Sequence, residues 1–291
     1  MIGITKCDND RSRVCYGPLM TMTEVTFDYE SMLVERVRED VLLVSMNRPE
    51  RLNAITFKTF DEIIDLCDKI TADTSIRAVV ITGRGRAFCA GLDLNEANTL
   101  EAMTAMEMMY GQEHWAAAFE RLYELPVPLI AAINGPATGG GLAIALAADI
   151  RIASTAARFN SAFVRIGLSS GDIGVSWALP RVIGMGHAAE MMMTGRFYEA
   201  EEARSIGLVN RVVEPDVLLD SAYETAAQIA ANTPLGVMLT KRLLASNVDA
   251  GGLRSAMEIE NRGQVLATRG ADFREALAAF REKRRPTYTG R

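Results

Sequence analysis

The sequence predicts an α/β protein with a helical C-terminal region, and three observations support this prediction. Short apolar runs typical of buried strands alternate with helical patterns in the earlier part of the chain. Helical patterns dominate from Ala188 onward. A cluster of three glycines, at 139–141, separates an apolar strand pattern from an Ala-rich helical pattern. A sheet-rich core should therefore precede helices that serve in packing or assembly.

The first predicted elements are a strand, a loop and an amphipathic helix. The β-type run Val41–Met46 is stopped by the turn residues that end at Pro49. Thr56 is placed to cap a helix, because apolar residues at helical spacing follow it as far as Ile70. A second buried strand is predicted at 78–82.

The following segments continue the alternation of helices and strands. A polar helix is predicted at 100–122 and a buried strand at Leu129–Ile133, and an apolar helix at 142–148 follows the glycine cluster. A short strand is predicted at 208–213. The later helices are predicted at 188–194, 200–206, 216–232, 234–246 and 253–267.

Charge and hydropathy patterning exclude two classes of partner. The formal net charge of −6 argues against generalised binding to nucleic acid or to an anionic membrane, because both require a broad cationic face. No apolar run reaches the ~20 residues that a membrane-spanning helix requires. At 291 residues and 49% hydrophobic content, the chain can instead bury a substantial core. We expect neither nucleic acid nor a membrane as partner.

Cysteine and histidine usage indicates a reducing compartment and no metal site. The four cysteines have no metal-ligand spacing, and only two histidines are present, which excludes a multi-histidine metal site. The N-terminus carries no signal-peptide pattern, so a cytoplasmic protein is expected. Residues 1–21 are interpreted as a disordered leader or an upstream start that contributes nothing to the chemistry.

The glycine cluster allows two interpretations. A helix that opens at these glycines presents free backbone N–H groups and the positive end of its dipole, which favour negative charge on a ligand. Glycine-rich turns also serve only close packing of a strand against a helix. The cluster alone does not distinguish a binding site from a packing device.

Four separated segments together show a resemblance that none of them carries alone. They have the sequences MNRPERLNA (46–54), VITGRGRAFCAGLDL (80–94), PLIAAINGPATGGG (128–141) and, for the fourth, LPRVIG, TGR and ARSIGLV between 179 and 209. With these motifs in this order, the chain resembles the crotonase superfamily, the enoyl-CoA hydratase/isomerases, over roughly residues 32 to 285. The resemblance implies a crotonase (ClpP-like) spiral fold of repeated ββα units. It divides the chain into a poorly ordered leader (1–31), an acyl-CoA-binding core (32–213) and a helical region for oligomerisation and active-site capping (214–291).

The resemblance also implies an oxyanion hole made of backbone N–H groups. In the family, two amides stabilise the enolate-like oxygen of an acyl-CoA thioester, and the motifs match these amides to Leu92 and Gly140. Such donors stabilise charge that develops during the reaction in a dry pocket. The loss of one donor typically lowers the stabilisation of the transition state by ~3–4 kcal/mol. Because only backbone atoms take part, a leucine at position 92 is acceptable.

A coenzyme A groove and acyl pocket are implied in the same way. Arg48, Arg84 and Arg86 either neutralise phosphates or are ordinary solvated charges, and Lys283 either approaches coenzyme A or belongs to a basic chain end. The expected substrate-binding residues are Arg51, Leu52, Ala54, Ala90, Gly91, Asp93, Leu94, Gly139, Phe163 and Lys283.

The sequence departs from the family at the two positions where a typical hydratase carries glutamates. Ala143 and Phe163 stand there, and neither side chain can transfer a proton. The loop that follows contains Asp172, close to where family isomerases often keep one carboxylate, with one extra residue before it. Asp172 is therefore the candidate base. Its alternative role is to cap a helix that begins near Val175.

The sequence thus predicts an acyl-CoA enzyme that forms a thioester enolate and isomerises an enoyl-CoA with one carboxylate. Two alternatives stay open: an enoyl-CoA hydratase or dehydratase that uses Asp172, or Glu113 with His114, and a CoA-thioester binding subunit without catalysis. Hydrolase, decarboxylase and dehalogenase chemistry also occurs on this fold. No metal or redox cofactor is expected, since coenzyme A is part of the substrate. The resemblance further implies a homotrimer, or a hexamer that is a dimer of trimers.

Overall fold

The computed structural model describes residues 24–290, which form two β-sheets and ten α-helices. The strands are β1 (Glu24–Asp28), β2 (Met32–Arg38), β3 (Val41–Met46), β4 (Ala78–Gly83), β5 (Leu129–Ile133), β6 (Ala137–Thr138), β7 (Ile150–Ser154), β8 (Arg158–Asn160), β9 (Tyr198–Glu199) and β10 (Arg211–Val213). The helices are α1 (Phe57–Ala72), α2 (Ala97–Ala102), α3 (Ala105–Tyr123), α4 (Gly140–Ala147), α5 (Val175–Thr194), α6 (Ala200–Ser205), α7 (Leu218–Ala230), α8 (Pro234–Asn247), α9 (Leu253–Ala267) and α10 (Ala271–Glu282). Short 3-10 helices occur at Pro49–Arg51, Leu94–Glu96, Ala162–Ile166 and Pro215–Val217.

The larger sheet has seven strands in the order β1-β2-β3-β4-β5-β7-β10. β1, β2 and β3 pair antiparallel, and the pairs from β3 to β10 are parallel. A smaller sheet pairs β6 with β8 in parallel and β8 with β9 antiparallel. β6 directly precedes α4, so the smaller sheet positions the glycine cluster.

The central parallel strands are buried along their whole length because helices cover both faces of the sheet. Every residue of β3, β4 and β5 is buried. Side chains of α7 pack in the apolar cluster on one face, and those of α1, α3 and α4 pack in the cluster on the other. Parallel sheets are normally covered on both faces, which explains why the sequences of these strands are continuous apolar runs.

Most predicted elements are confirmed, and the deviations have local causes. The expected single helix at 100–122 is wrong, because the chain breaks between α2 and α3. Thr104 begins α3 with a capping box, in which its side chain accepts from the Glu107 N–H and the Glu107 carboxylate accepts from the Thr104 N–H. The predicted strand at 208–213 is shortened to β10, and α5 begins at Val175, well before the predicted helix at 188–194. Helix α10 was not predicted.

The N-terminal boundary of the folded region lies earlier than residue 32. β1 lies within the expected leader and pairs with β2. Residues 1–23 of that leader lie outside the described residues. In the part of the chain that the structure covers, no helix is both long and apolar enough to cross a membrane.

Arg151 on β7 holds the C-terminal end of α4. Its side chain is buried and donates hydrogen bonds to the carbonyls of Leu208 (2.8 Å) and Ala148. Burial lowers the pKa of the guanidinium, and its Nε and Nη1 atoms donate to backbone carbonyls. A cation at a helix C-terminus is favourable because it opposes the negative end of the dipole. This contact fixes the helix whose other end carries the glycine cluster.

We expect Arg151→Met to lower the free energy of unfolding by about 2–4 kcal/mol, since it leaves buried carbonyls without donors. Urea unfolding followed by circular dichroism measures this change. Arg204→Met, at an exposed arginine of α6 with a 3.7 Å ion pair, is the matched control and should change the value by less than about 0.5 kcal/mol. Equal stability of the two variants would contradict the proposed anchoring.

Candidate functional site

Three chain segments meet at the N-terminal end of α4 and are joined by backbone hydrogen bonds. The Ile55 N–H donates to the Gly91 carbonyl (2.8 Å), and the Ala90 N–H donates to the Leu52 carbonyl (3.0 Å). The Thr138 hydroxyl donates to the Ala90 carbonyl (2.7 Å). The loop after β3, the loop after β4 and the turn before α4 are therefore one connected unit.

The glycines in this unit are required by close backbone approach. A Cβ on Gly141 would lie 2.1 Å from the Cys89 carbonyl oxygen, so the backbones would have to separate. A Cβ on Gly91 would lie 2.9 Å from the Thr138 carbonyl oxygen and 3.5 Å from the Gly140 nitrogen. Gly91 also has a φ of 89°, in the left-handed region that favours glycine. The glycine cluster therefore does serve close packing.

The same packing involves two residues with free amides. A Cβ on Gly140 would lie 3.8 Å from the Cα of Gly91, the residue before Leu92. Among the hydrogen bonds of residues 24–290, neither the Leu92 N–H nor the Gly140 N–H acts as a donor. Two unpaired N–H donors, one of them at the start of a helix, would stabilise a negatively charged oxygen that lay between them. The arrangement agrees with the oxyanion hole that the sequence predicts, and the assignment of that role stays a prediction.

The expected substrate-binding residues divide into exposed and structural ones. Arg51 and Leu94 are exposed, Leu52 and Ala90 are half-buried, and Ala54, Gly91 and Asp93 are buried. Arg84 and Arg86 are exposed on the loop after β4. Lys283 is exposed where α10 ends, and no described contact joins it to the loops around Leu92.

Arg48 has a structural partner in place of a phosphate. Its guanidinium donates to the Asp93 carboxylate (2.9 Å) and to the Ala54 carbonyl (2.7 Å). Asn53, in the same loop as Arg48, donates to the Ala87 carbonyl (2.8 Å) and accepts from the Arg48 N–H (3.0 Å). These bonds fix the two loops to each other. The sequence offers Asn53 only as part of the family motif, so its role as a bridge was missed.

The two positions that lack glutamates flank the glycine cluster. Ala143, on α4, lines a cavity of about 440 Å³, and the ring of Phe163 lies 3.8 Å from where a Cβ on Gly139 would be. The cavity extends between α3, α4 and the start of α5. Its walls are formed by Glu113, Ala116, Ala117, Phe119, Glu120, Tyr123, Ala143, Leu146, Ala147, Ile173, Gly174, Val175, Trp177 and Ala178. Most of these side chains are apolar, as a pocket for an acyl group requires.

Asp172 is half-buried and directly precedes Ile173 and Gly174, which line this cavity. Its neighbour Ile173 lines the cavity, and the Ile173 Cδ1 lies 3.8 Å from where a Cβ on Gly140 would be. Burial raises the pKa of Asp172, and hydrogen bonds from the Ile173 N–H (2.9 Å) and from Gln112 partly oppose this change. A carboxyl with a raised pKa is a stronger base once it is ionised.

The structure does not support the alternative that the Asp172 side chain caps α5. The residue before α5 is Gly174, and no side chain caps this helix start. The carboxylate of Asp172 is bonded to Gln112 on α3 and to the adjacent Ile173 N–H instead. Gln112 was missed from the sequence. The available signal was its position one helical turn before Ala116, which lines the cavity.

Glu113 and His114, the other candidate residues, and the thiol of Cys89 have different surroundings. Glu113 lines the cavity, whereas His114 points to α1 and pairs with Asp61 at 2.7 Å. Burial raises the pKa of Cys89 to about 12, so its thiol stays protonated at neutral pH. Within residues 24–290, no three side chains of His, Cys, Asp or Glu come together as a metal site would require.

Comparison with known proteins is consistent with these features. The model of the enoyl-CoA hydratase/isomerase family matches residues 36–291. A Mycobacterium tuberculosis protein named "Probable enoyl-CoA hydratase EchA12" is 40% identical over 269 residues, which cover 89% of this chain and 92% of the relative. The 1,2-epoxyphenylacetyl-CoA isomerase of Escherichia coli is 35% identical, over 89% of this chain and 98% of the relative.

Solved structures share the same fold. The crystal structure of an enoyl-CoA hydratase from Bacillus anthracis superposes with a TM-score of 0.85 at 33% identity, and the match covers 90% of this chain and 100% of that one. The predicted spiral α/β fold with a helical C-terminal region is thereby confirmed. From the family match, the identity to these relatives and the shared fold, it follows that the chain belongs to the enoyl-CoA hydratase/isomerase family.

Proposed function

We propose that this protein isomerises an enoyl-CoA thioester with Asp172 as its single catalytic carboxylate. The observation that carries the proposal is the position of Asp172, which is half-buried and directly precedes Ile173, a cavity-lining residue whose side chain lies against Gly140. Ala143 and Phe163, at the usual glutamate positions, leave no carboxyl there. The proton transfer chemistry is therefore assigned to Asp172.

The reaction proceeds in two proton transfers. With a 3-enoyl-CoA, ionised Asp172 takes a proton from the α-carbon, and the electron pair moves into the thioester to form a dienolate. The N–H groups of Leu92 and Gly140 stabilise the negative oxygen. The carboxyl then returns the proton to the γ-carbon, and the conjugated 2-enoyl-CoA results. No water is added and no cofactor is consumed, so coenzyme A serves only as the carrier of the acyl group.

The comparisons support both isomerase and hydratase chemistry. One relative is named an isomerase, and others are named hydratases. The observation that favours the hydratase alternative is Glu113, since it lines the cavity together with Ala143 and thus offers a second carboxyl. In that alternative, Asp172 and Glu113 would hold and activate water. His114 does not contribute, because it faces Asp61.

Asp172→Asn should lower kcat for isomerisation by at least about 100-fold, because the amide cannot accept the proton. Conversion of 3-enoyl-CoA is followed by the absorbance of the conjugated thioester, and deuterium uptake at the α-carbon is measured in parallel. Asp216→Asn, at an exposed carboxylate before α7, is the matched control and should retain activity. An unchanged rate in Asp172→Asn would refute the assignment of the base.

The products distinguish the alternatives. Exchange at the α-carbon without addition of water supports isomerisation. Net addition of water to 2-enoyl-CoA that is lost in Glu113→Gln would favour the hydratase alternative. Thioester binding with neither exchange nor turnover would favour a binding subunit without catalysis.

The pH dependence of kcat/KM should show an acidic limb above the range in which an ordinary aspartate, with a pKa of about 3.9, ionises. The base must be ionised to act, and burial raises the pKa of Asp172, so activity falls as pH decreases through this raised value. Initial rates measured across the acidic range under subsaturating substrate test the prediction. Full activity down to pH values near 4 would contradict it.

We also propose that the chain assembles as a trimer or as a hexamer of two trimers. α8, α9 and α10 expose many large apolar side chains, which are Leu244, Leu253, Met257, Ile259, Val265, Leu266, Phe273, Leu277 and Phe280. Such a surface is typical of an interface. Light scattering should give about three or six times the mass of one chain, and the mass of a single chain would contradict the proposal.

A further inference from the structure

We propose that Gln112 is a positioning residue that directs one oxygen of Asp172, Oδ2, toward the reacting carbons. This inference rests on the proposed function and adds a residue to it. The Gln112 side chain and the Ile173 N–H both donate to Oδ1 of Asp172. Across the described part of the chain, no hydrogen bond to Oδ2 is present, so this oxygen is free to accept and return the proton.

The helix that carries Gln112 is anchored in the core. Trp115 is buried one turn later on α3 and stacks on Phe57 at 4.7 Å, with 5° between the ring planes. Phe119 continues this contact against Phe60 of α1. The amide of Gln112 is therefore presented from a helix anchored in the core, while Asp172 lies on a loop. A fixed donor opposite a loop carboxylate sets the orientation of the carboxylate.

The backbone of the loop after Asp172 has an unusual conformation. Ile173 has a φ of 38°, in the left-handed region that β-branched residues rarely adopt. A conformation of this kind persists only where surrounding contacts impose it. The hydrogen bond from Gln112 to the preceding residue is one such contact. Gln112 thus holds both the carboxylate and the backbone that presents it.

The chemistry of the Gln112 amide suits a residue that orients a base. A glutamine N–H donates to an ionised carboxylate and favours it, yet the neutral amide can neither take up the substrate's proton nor cancel the charge of the base as a lysine or arginine would. Burial raises the pKa of Asp172, and the hydrogen bond from Gln112 limits this increase. The titratable groups facing the same cavity are Glu113, Glu120 and Tyr123, all on α3, whereas α4 and the start of α5 contribute only uncharged side chains.

The test is Gln112→Met, which keeps the length of the side chain and removes the donor. We expect kcat for isomerisation to decrease by about 3- to 10-fold, the effect of one hydrogen bond, with KM changed less than about 2-fold. The acidic limb of the pH–rate profile should move to higher pH, since the ionised carboxylate loses a donor. Gln228→Met, at an exposed glutamine of α7, is the matched control and should change neither quantity.

A second variant keeps the inference testable if Gln112→Met folds poorly. Gln112→Glu places another carboxyl beside Asp172, so the acidic limb should move further toward higher pH. If Asp172→Asn is inactive while both Gln112 variants keep the wild-type pH profile and kcat, the positioning role is refuted and the proposed function stands. If Asp172→Asn is fully active, the proposed function itself fails.

Discussion

The site depends on one constraint, the direct contact of two backbones at the start of α4. Gly141 approaches the carbonyl of Cys89 so closely that no side chain fits between them, and Gly91 approaches the carbonyl of Thr138 in the same way. This contact ties the turn before α4 to the loop after β4, and the N–H groups of Leu92 and Gly140 in these segments donate no hydrogen bond within residues 24–290. Close packing and free amides therefore occur together at the same glycines, and the two interpretations of the cluster do not exclude each other.

Around this contact, the backbone amides and the carboxyl group of Asp172 are held by different parts of the chain. The amides belong to the backbone of the core, which Arg151 and the paired loops hold in place. No carboxyl group stands at Ala143 or Phe163, and a cavity with mainly apolar walls opens beside Ala143. Asp172 lies on a loop next to the cavity-lining Ile173 and is bonded to Gln112 on α3.

The sequence predicts those features that depend on neighbouring residues or on a shared motif. Strand β3 and helix α9 have the predicted bounds, because their apolar periodicity is local. The start of α3 was missed although the capping box of Thr104 and Glu107 is visible in the sequence, since the long helical pattern concealed it. The bond between Gln112 and Asp172 joins residues 60 positions apart, and no local pattern reports such a contact.

Because Asp172 lies on a loop, the two parts of the site tolerate change to different degrees. The glycine contact tolerates almost no substitution, because each change would push two backbones apart. The loop before α5, in contrast, is joined to the rest of the site through side chains such as Gln112, and several of its residues are exposed. A longer or different loop would therefore move the carboxylate of Asp172 while the contact between Gly141 and Cys89 stayed in place.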